Sequence, residues 1–269
     1  MMSKADEPRK RPGRTRSAEP EAVRTLERGL IVLRVLGEQS AATLSEVARF
    51  AGLSASTTYR LLQTLRQQGF AHEEAGIWQV GIQTFVTGRA YAELDGLVAT
   101  AKRQMESLVA ETGETVNLAV LQAPDVMYVH QVEGRGLMRM FTQIGARSPL
   151  YCTGAGKALL AWRDKGDVAD LVGAGPYPAF TERTLTSLAA YQAELAEVRQ
   201  LGYALDNEER EDGVRCVAVP IYGAGGTVTA AMSLSAPASR LGDERVGELA
   251  ATLQAAAREI TVRLGGQRA

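Results

Sequence analysis

The sequence predicts an α+β fold in two parts, a small winged helix-turn-helix followed by a larger domain of helices on a mostly antiparallel sheet. Three observations predict it. Residues 43–69, TLSEVARFAGLSASTTYRLLQTLRQQG, hold two short amphipathic patterns around a glycine; residues 70–80, FAHEEAGIWQV, hold two apolar runs around a Glu-Glu-Ala-Gly turn. Beyond residue 114 the hydrophobic period changes to strands interrupted by helices and closed by one long helix.

Residues 1–20 carry Lys4, Arg9, Lys10, Arg11, Arg14 and Arg16 among proline, glycine and serine, which predicts a disordered basic tail. From residue 21, Leu26, Leu30, Leu33 and Leu36 recur at helical spacing, giving a first helix expected to pack under the helix-turn-helix in a domain spanning 21–81. Thr43 followed by Glu46 is a capping box, Gly52 is suited to the left-handed end of that helix, and Ser54 is a ready N-cap for the next. In the second helix Thr58, Leu61, Leu62 and Leu65 share one face, leaving Ser56, Thr57, Tyr59, Arg60, Gln63 and Gln67 outward. That outward face is polar, cationic and nearly free of carboxylates. It suits a major groove, with short hydroxyls for phosphates and Arg or Gln forks for base edges. Thr43, Ser54, Ser56, Thr57, Tyr59, Arg60 and Gln63 are therefore the candidate contacts to double-stranded DNA.

Residues 82–95 read as a linker helix that ends at Asp95-Gly96, and 96–269 as a second domain. Phe85, Val86 and Tyr91 would leave apolar surface on that linker, most simply covered by a second copy of the chain in a homodimer or a dimer of dimers. In the second domain, 114–122 and 126–134 form a hairpin around Pro124-Asp125, and 137–144 adds a third strand. Helical segments follow at 154–162, 164–172 and 185–201. The sheet resumes at 202–209, 214–222 and 227–236, and an amphipathic helix over 241–264 closes the chain.

Charge supports the division. Residues 1–70 carry 12 basic and 7 acidic side chains against 18 and 24 in the remainder, so contact with a polyanion belongs to the front of the chain. The N-terminus lacks the apolar core of an export signal, and the uncharged run 216–239 is broken by Pro220, Gly223, Gly225 and Gly226. It reads as paired buried strands rather than a membrane span. Cys152 and Cys216 supply neither a disulfide framework nor a zinc spacing, which points to a reducing cytoplasm and to no metal or cofactor.

The motifs STTYRLLQTL, QQGF, GETVNLAVL, LMRM, TGAGKALLA, GYALDNEE and RCVAVPI, in this order over residues 23–265, make the chain resemble the IclR family of bacterial transcriptional regulators, and within it the glyoxylate-bypass repressors. The resemblance implies a winged helix-turn-helix joined by a linker helix to a GAF-like effector-binding domain. It also implies a regulator, a repressor by this likeness, whose operator binding responds to a small carboxylate such as glyoxylate or pyruvate. Carried over by position, it assigns Gly154, Ala155, Asp206, Cys216, Ser233 and Ser235 to the polar part of the ligand pocket and Leu137, Met140 and Val214 to its apolar wall. The amides that open the TGAG helix suit an anion, and Ser233 and Ser235 share one side of a strand. Ser148 departs from the pattern, standing where an apolar wall residue is expected, and Val214 is small. A roomier pocket and a bulkier, aromatic acid are the alternative.

From another class, Cys152 or Cys216 could serve as a nucleophile with His130 as base, and Asp206, Cys216 and His130 could hold a metal, but neither set has a recognisable spacing. The chain is read as a regulator and not an enzyme.

Overall fold

The computed structural model describes residues 23–88, 92–135 and 143–267, with backbone alone for 92–95. The predicted basic tail, Tyr91, Leu137 and Met140 lie outside the described residues. The chain divides into two compact units, Met1–Ala90 and Tyr91–Ala269.

The first unit contains α1 (Arg24–Gln39), β1 (Ala42–Thr43), α2 (Leu44–Ala51), α3 (Ala55–Gln67), β2 (Ala71–Glu74), β3 (Ile77–Val80) and α4 (Ile82–Gly88). Its turns follow the local chemistry. The Thr43 amide donates to Glu46 Oε2 at 2.8 Å while the Glu46 amide donates to Thr43 Oγ1 at 3.4 Å, closing the capping box. Gly52 ends α2 at φ 64°, and Ser54 accepts the Thr57 amide at the start of α3. Val32, Val35 and Leu36 of α1 meet Val47, Leu62 and Trp78 in the core. Here the leucine stripe needs correction: Leu36 is buried, but Leu26 and Leu30 are 62% and 57% exposed. The face of α1 that meets the core is the one bearing its valines.

β1 adds a strand that the sequence pattern does not announce, giving the sheet order β1-β3-β2. The β2–β3 hairpin turns on Ala75 and Gly76, both at positive φ, as a two-residue hairpin loop requires.

In the second unit α5 (Ala92–Thr112) runs unbroken through Asp95-Gly96, where a helix boundary is predicted. Two poor helix formers cost about 1–2 kcal/mol together, less than a long packed helix recovers by burying Leu97, Ala101, Met105 and Leu108. There follow β4 (Thr115–Gln122), β5 (Asp125–Val132), β6 (Arg147–Pro149), a 3-10 turn at Leu150–Cys152, α6 (Gly154–Leu160), α7 (Lys165–Val172), α8 (Leu188–Leu201), β7 (Ala204–Asn207), β8 (Val214–Tyr222), β9 (Val228–Pro237) and α9 (Asp243–Arg263). The antiparallel sheet has the order β6-β5-β4-β9-β8-β7. Of the third strand expected at 137–144, only Gln143 and Ile144 are described, and they are not strand; the segment that pairs with β5 is β6.

Strand periodicity sorts side chains between two cores. Leu118, Val217, Val219, Met232 and Leu234 pack under α5 and α9, whereas Ala119, Ala204, Ala218 and Ala231 face α6 and α8. The alanines let α6 lie close to the sheet. Gly156 is required where α6 packs on the 3-10 turn before it, because a Cβ there would stand 2.1 Å from the Leu150 carbonyl oxygen.

Lys157 locks the arrangement. Its fully buried ammonium donates to Glu194 Oε1 at 2.8 Å on α8, to the Leu205 carbonyl at 2.8 Å on β7, and to Glu209 Oε1 at 2.5 Å. All three of its hydrogens are thus used. Burial still holds the Glu209 carboxyl above the ordinary range, with Lys157 opposing that rise. Because its folded pKa lies above the unfolded value, the ionised form of Glu209 costs stability as pH rises and the cost disappears in acid. Lys157→Met should therefore lose about 3–5 kcal/mol near neutral pH, and less toward acid, because protonation removes the uncompensated charge of Glu209. Urea melts of both proteins at pH 5 and pH 8 test this, and an equal loss at the two values would contradict it.

Candidate functional sites: a polar helix face and a polar cavity

The exposed face of α3 is organised from its cap. Ser54 Oγ donates to Thr57 Oγ1 at 2.9 Å and lies 3.2 Å from Ser56 Oγ, so three hydroxyls cluster at the helix start. Thr58 and Leu62 point into the core, which leaves Tyr59 and Arg60 exposed and Gln63 half-exposed one turn on. All the α3 residues singled out from sequence share this side. Thr43 is spent on the capping box of α2, and its hydroxyl donates to Glu46. Arg66 at the end of α3 pairs with Glu73 of β2 at 3.2 Å, fixing the hairpin against the helix.

In the second unit the sheet face beneath α6 turns polar where α6 begins. Register places Asp206 beside Cys216, Cys216 beside Ser235, and Asn117 beside Ser233, across β7, β8, β9 and β4. Thr153 caps α6 by accepting the Gly156 amide at 3.1 Å, while no bond from the Gly154 or Ala155 amide is found among the described residues. These groups line one cavity of about 380 Å³. Gly154, Ala155, Asp206, Val214, Cys216, Ser233 and Ser235 all reach it, as does Ser148. Asn117, Tyr128, Gln143, Thr153 and Arg210 line it too and are not singled out by sequence. Only Arg210, a cation directly after DNEE, carries a local signal that could have marked it.

The polar groups are already wired together. Gln131 donates to Asn117 Oδ1 at 2.8 Å, Asn117 Nδ2 donates to Ser235 Oγ at 3.3 Å, and the Cys216 thiol donates to the same oxygen at 3.1 Å. With two donors on its oxygen, Ser235 has its own hydrogen to offer to the cavity. Burial, and then neighbouring Glu209, push the Asp206 carboxyl up to about 7, against the amides of Glu209 and Arg210 and the charge of Lys157. Tyr128 shares a hydrogen bond with Ser148, and burial holds its phenol protonated.

The cysteines are not activated. Burial pushes the Cys152 thiol up to about 12 and raises Cys216 as well, with Asp206 adding to both. His130 lies on the other face of the sheet, where Lys102 and Glu106 of α5 are the charges that act on it. It cannot serve as a base for either thiol or join Asp206 and Cys216 around a metal, and among the described residues no cluster of three ligating side chains occurs.

Comparison with known proteins identifies both parts of the chain. Residues 25–75 match the IclR helix-turn-helix domain and residues 89–262 match the bacterial transcriptional regulator IclR C-terminal domain. The chain is similar to the acetate operon repressor of Salmonella typhimurium, 39% identical over 96% of each chain. It is also similar to the transcriptional regulator KdgR of Escherichia coli, 37% identical over 92% of this chain and 95% of that one. Among solved structures it resembles an IclR homolog from Microbacterium hydrocarbonoxydans complexed with 4-hydroxybenzoate (TM-score 0.78, 25% identity, 89% and 98% of the two chains). The Thermotoga maritima IclR is similar as well, with TM-score 0.73, 27% identity, and 91% and 100% covered. With a helix-turn-helix at its front, an effector-type domain behind it and relatives matched from end to end, the chain belongs to the IclR family of DNA-binding transcriptional regulators.

Proposed function

We propose that the protein is a repressor whose operator binding responds to a small carboxylic acid held in the cavity at the start of α6. The observation that carries this reading is the convergence of the Gly154 and Ala155 amides with Ser233, Ser235, Cys216 and Asp206 on one polar cavity. An anion there meets amide and hydroxyl donors, and Asp206 becomes a donor once protonated. Glyoxylate and pyruvate are the simplest such acids. The volume of about 380 Å³, many times that of glyoxylate, together with Tyr128 and Ser148 on the wall, favours a second reading in which an aromatic acid binds. The likeness to the 4-hydroxybenzoate-bound homolog supports it.

On the DNA side, α3 would enter the major groove with Arg60 and Gln63 on base edges and Ser54, Ser56 and Thr57 near phosphates. A homodimer or dimer of dimers would present two or more such helices. The exposed Ile82, Phe85 and Val86 on α4 support that pairing. No helix among the described residues is long and apolar enough to cross a membrane, and the protonated thiols favour a regulator over a cysteine enzyme, consistent with the cytoplasmic setting expected of such a regulator.

Three measurements test this reading. Arg60→Ala and Gln63→Ala should each cost about 1–3 kcal/mol on the cognate operator and much less on random DNA, whereas neutralising Arg9, Lys10 and Arg11 should weaken both alike; equal losses for Arg60→Ala on both DNAs would assign it to the backbone instead. Light scattering at micromolar concentration should show a dimer or tetramer, and a monomer alone would remove the pairing. Calorimetry on the full chain should show pyruvate, glyoxylate or 4-hydroxybenzoate binding that is lost in the Ser233→Ala, Ser235→Ala double variant. Affinity should fall roughly three- to tenfold from pH 6 to pH 8.5 as Asp206 loses its proton and repels the anion, and Asp206→Asn should flatten that slope. Binding untouched in the double variant would move the site elsewhere.

A further inference from the structure

We infer that Arg210 is the residue that selects a carboxylate in this cavity, its guanidinium held at the rim by Phe180. The inference rests on reading the cavity as a carboxylate site and names the group that distinguishes an acid from a neutral analogue there.

The turn that carries Arg210 is fixed from both sides. Asp206 accepts the Glu209 amide at 2.8 Å and the Arg210 amide as well, and Lys157 holds Glu209 from within. From the facing loop, Thr181 Oγ1 donates to the Glu208 carbonyl at 2.7 Å and Thr184 Oγ1 to the Glu209 carbonyl at 2.6 Å. Phe180, in the same loop, lies under the guanidinium, whose carbon is 4.1 Å from the ring centroid. Tyr151 backs Phe180 at 6.4 Å, stacks on Tyr177 at 4.5 Å and donates to the Pro178 carbonyl at 2.8 Å. Tyr151 stands three residues before Gly154, so one aromatic stack supports both the guanidinium and the start of α6.

Stacking occupies one face of the guanidinium and leaves its in-plane N–H fork without a hydrogen bond or ion pair among the described residues, the geometry that matches a carboxylate. The charges that could quench it are placed otherwise. Glu208 pairs with Arg183 at 3.4 Å and accepts the Gly213 amide, Glu209 is bound to Lys157, and Asp206 takes backbone amides. Glu211, the remaining carboxylate on the rim, makes no ion pair with Arg210 among the described residues. Arg210 is also the one cation among the described residues that line the cavity. A monoanion entering it therefore meets a prepositioned counter-charge, and an uncharged amide of the same shape does not.

Calorimetry on the full-length protein with matched pairs, pyruvate against pyruvamide and 4-hydroxybenzoate against 4-hydroxybenzamide, tests the assignment. The wild type should prefer the acid of whichever pair it binds. Arg210→Gln should lower that acid-over-amide ratio roughly tenfold, through the acid alone. Arg210→Lys, which keeps the charge but loses the fork, should retain part of it, and Phe180→Leu should lower it less than Arg210→Gln. An unchanged ratio in Arg210→Gln, with acid binding intact, overturns the role of Arg210 and leaves the carboxylate site standing. Should the Gln variant fail to fold, the ratio in Phe180→Leu decides in the same way. Binding of neither acid by the wild type overturns the carboxylate reading and this inference with it.

Discussion

The close seating of α6 on the sheet is the constraint from which the rest of the second unit follows. A Cβ on Gly154 would sit 3.2 Å from the Cys216 carbonyl and 3.3 Å from the Ala218 methyl of the sheet, while Gly156 must lack a side chain because the Leu150 carbonyl of the turn before α6 occupies its place. Opposite them, Ala119, Ala204, Ala218 and Ala231 present the smallest apolar surface a strand can offer without losing its side chain. A helix packed this tightly leaves no room beneath its body, so space opens only where it begins. There the same strands change from alanine to Asn117, Cys216, Ser233, Ser235 and Asp206, and the cavity is polar as a result.

The buried charge of Lys157 extends that constraint to the electrostatics. Its ammonium is shared between two carboxylates, Glu194 and Glu209, so its pull on Asp206 is not enough to offset burial. Asp206 is stabilised by the Glu209 and Arg210 amides and by the charge of Lys157, and titrates near neutrality because burial and the neighbouring Glu209 outweigh them. An acidic side chain beside an anion seat is thereby reconciled with binding, since it arrives at the site as a hydrogen-bond donor when protonated. The same turn then delivers Arg210 to the rim, held by the Thr181 and Thr184 hydroxyls and by the Phe180 ring.

Much of this was legible in the sequence where the cause is local. The capping box at Thr43, the left-handed Gly52 and the Ser54 cap each depend on a few adjacent residues, and all three appear as read. The positions carried over for the cavity, where described, do converge, although the strand order that brings β4 beside β9 has no local signature. What was not legible depends on distance. α1 bears apolar residues on two faces, and only packing shows that Val32 and Val35 rather than Leu26 and Leu30 meet the core. Asp95-Gly96 has the composition of a turn, yet burial on either side carries α5 through it. Asn117 and Tyr128 are ordinary strand residues until strand pairing brings them within hydrogen-bonding reach of Ser235 and Ser148.

The central claim, that one cavity at the start of α6 is where this regulator senses an acid, is tested most directly by hydrogen exchange on the full-length protein with and without saturating pyruvate or 4-hydroxybenzoate. The Gly154 and Ala155 amides make no internal bond among the described residues, so they should exchange readily in the free protein. Added acid should slow exchange at 153–156, with smaller effects at 206–211 and 233–235. Protection confined to another surface, such as the groove between α8 and α9 lined by Leu201, Trp162 and Arg258, would contradict the account.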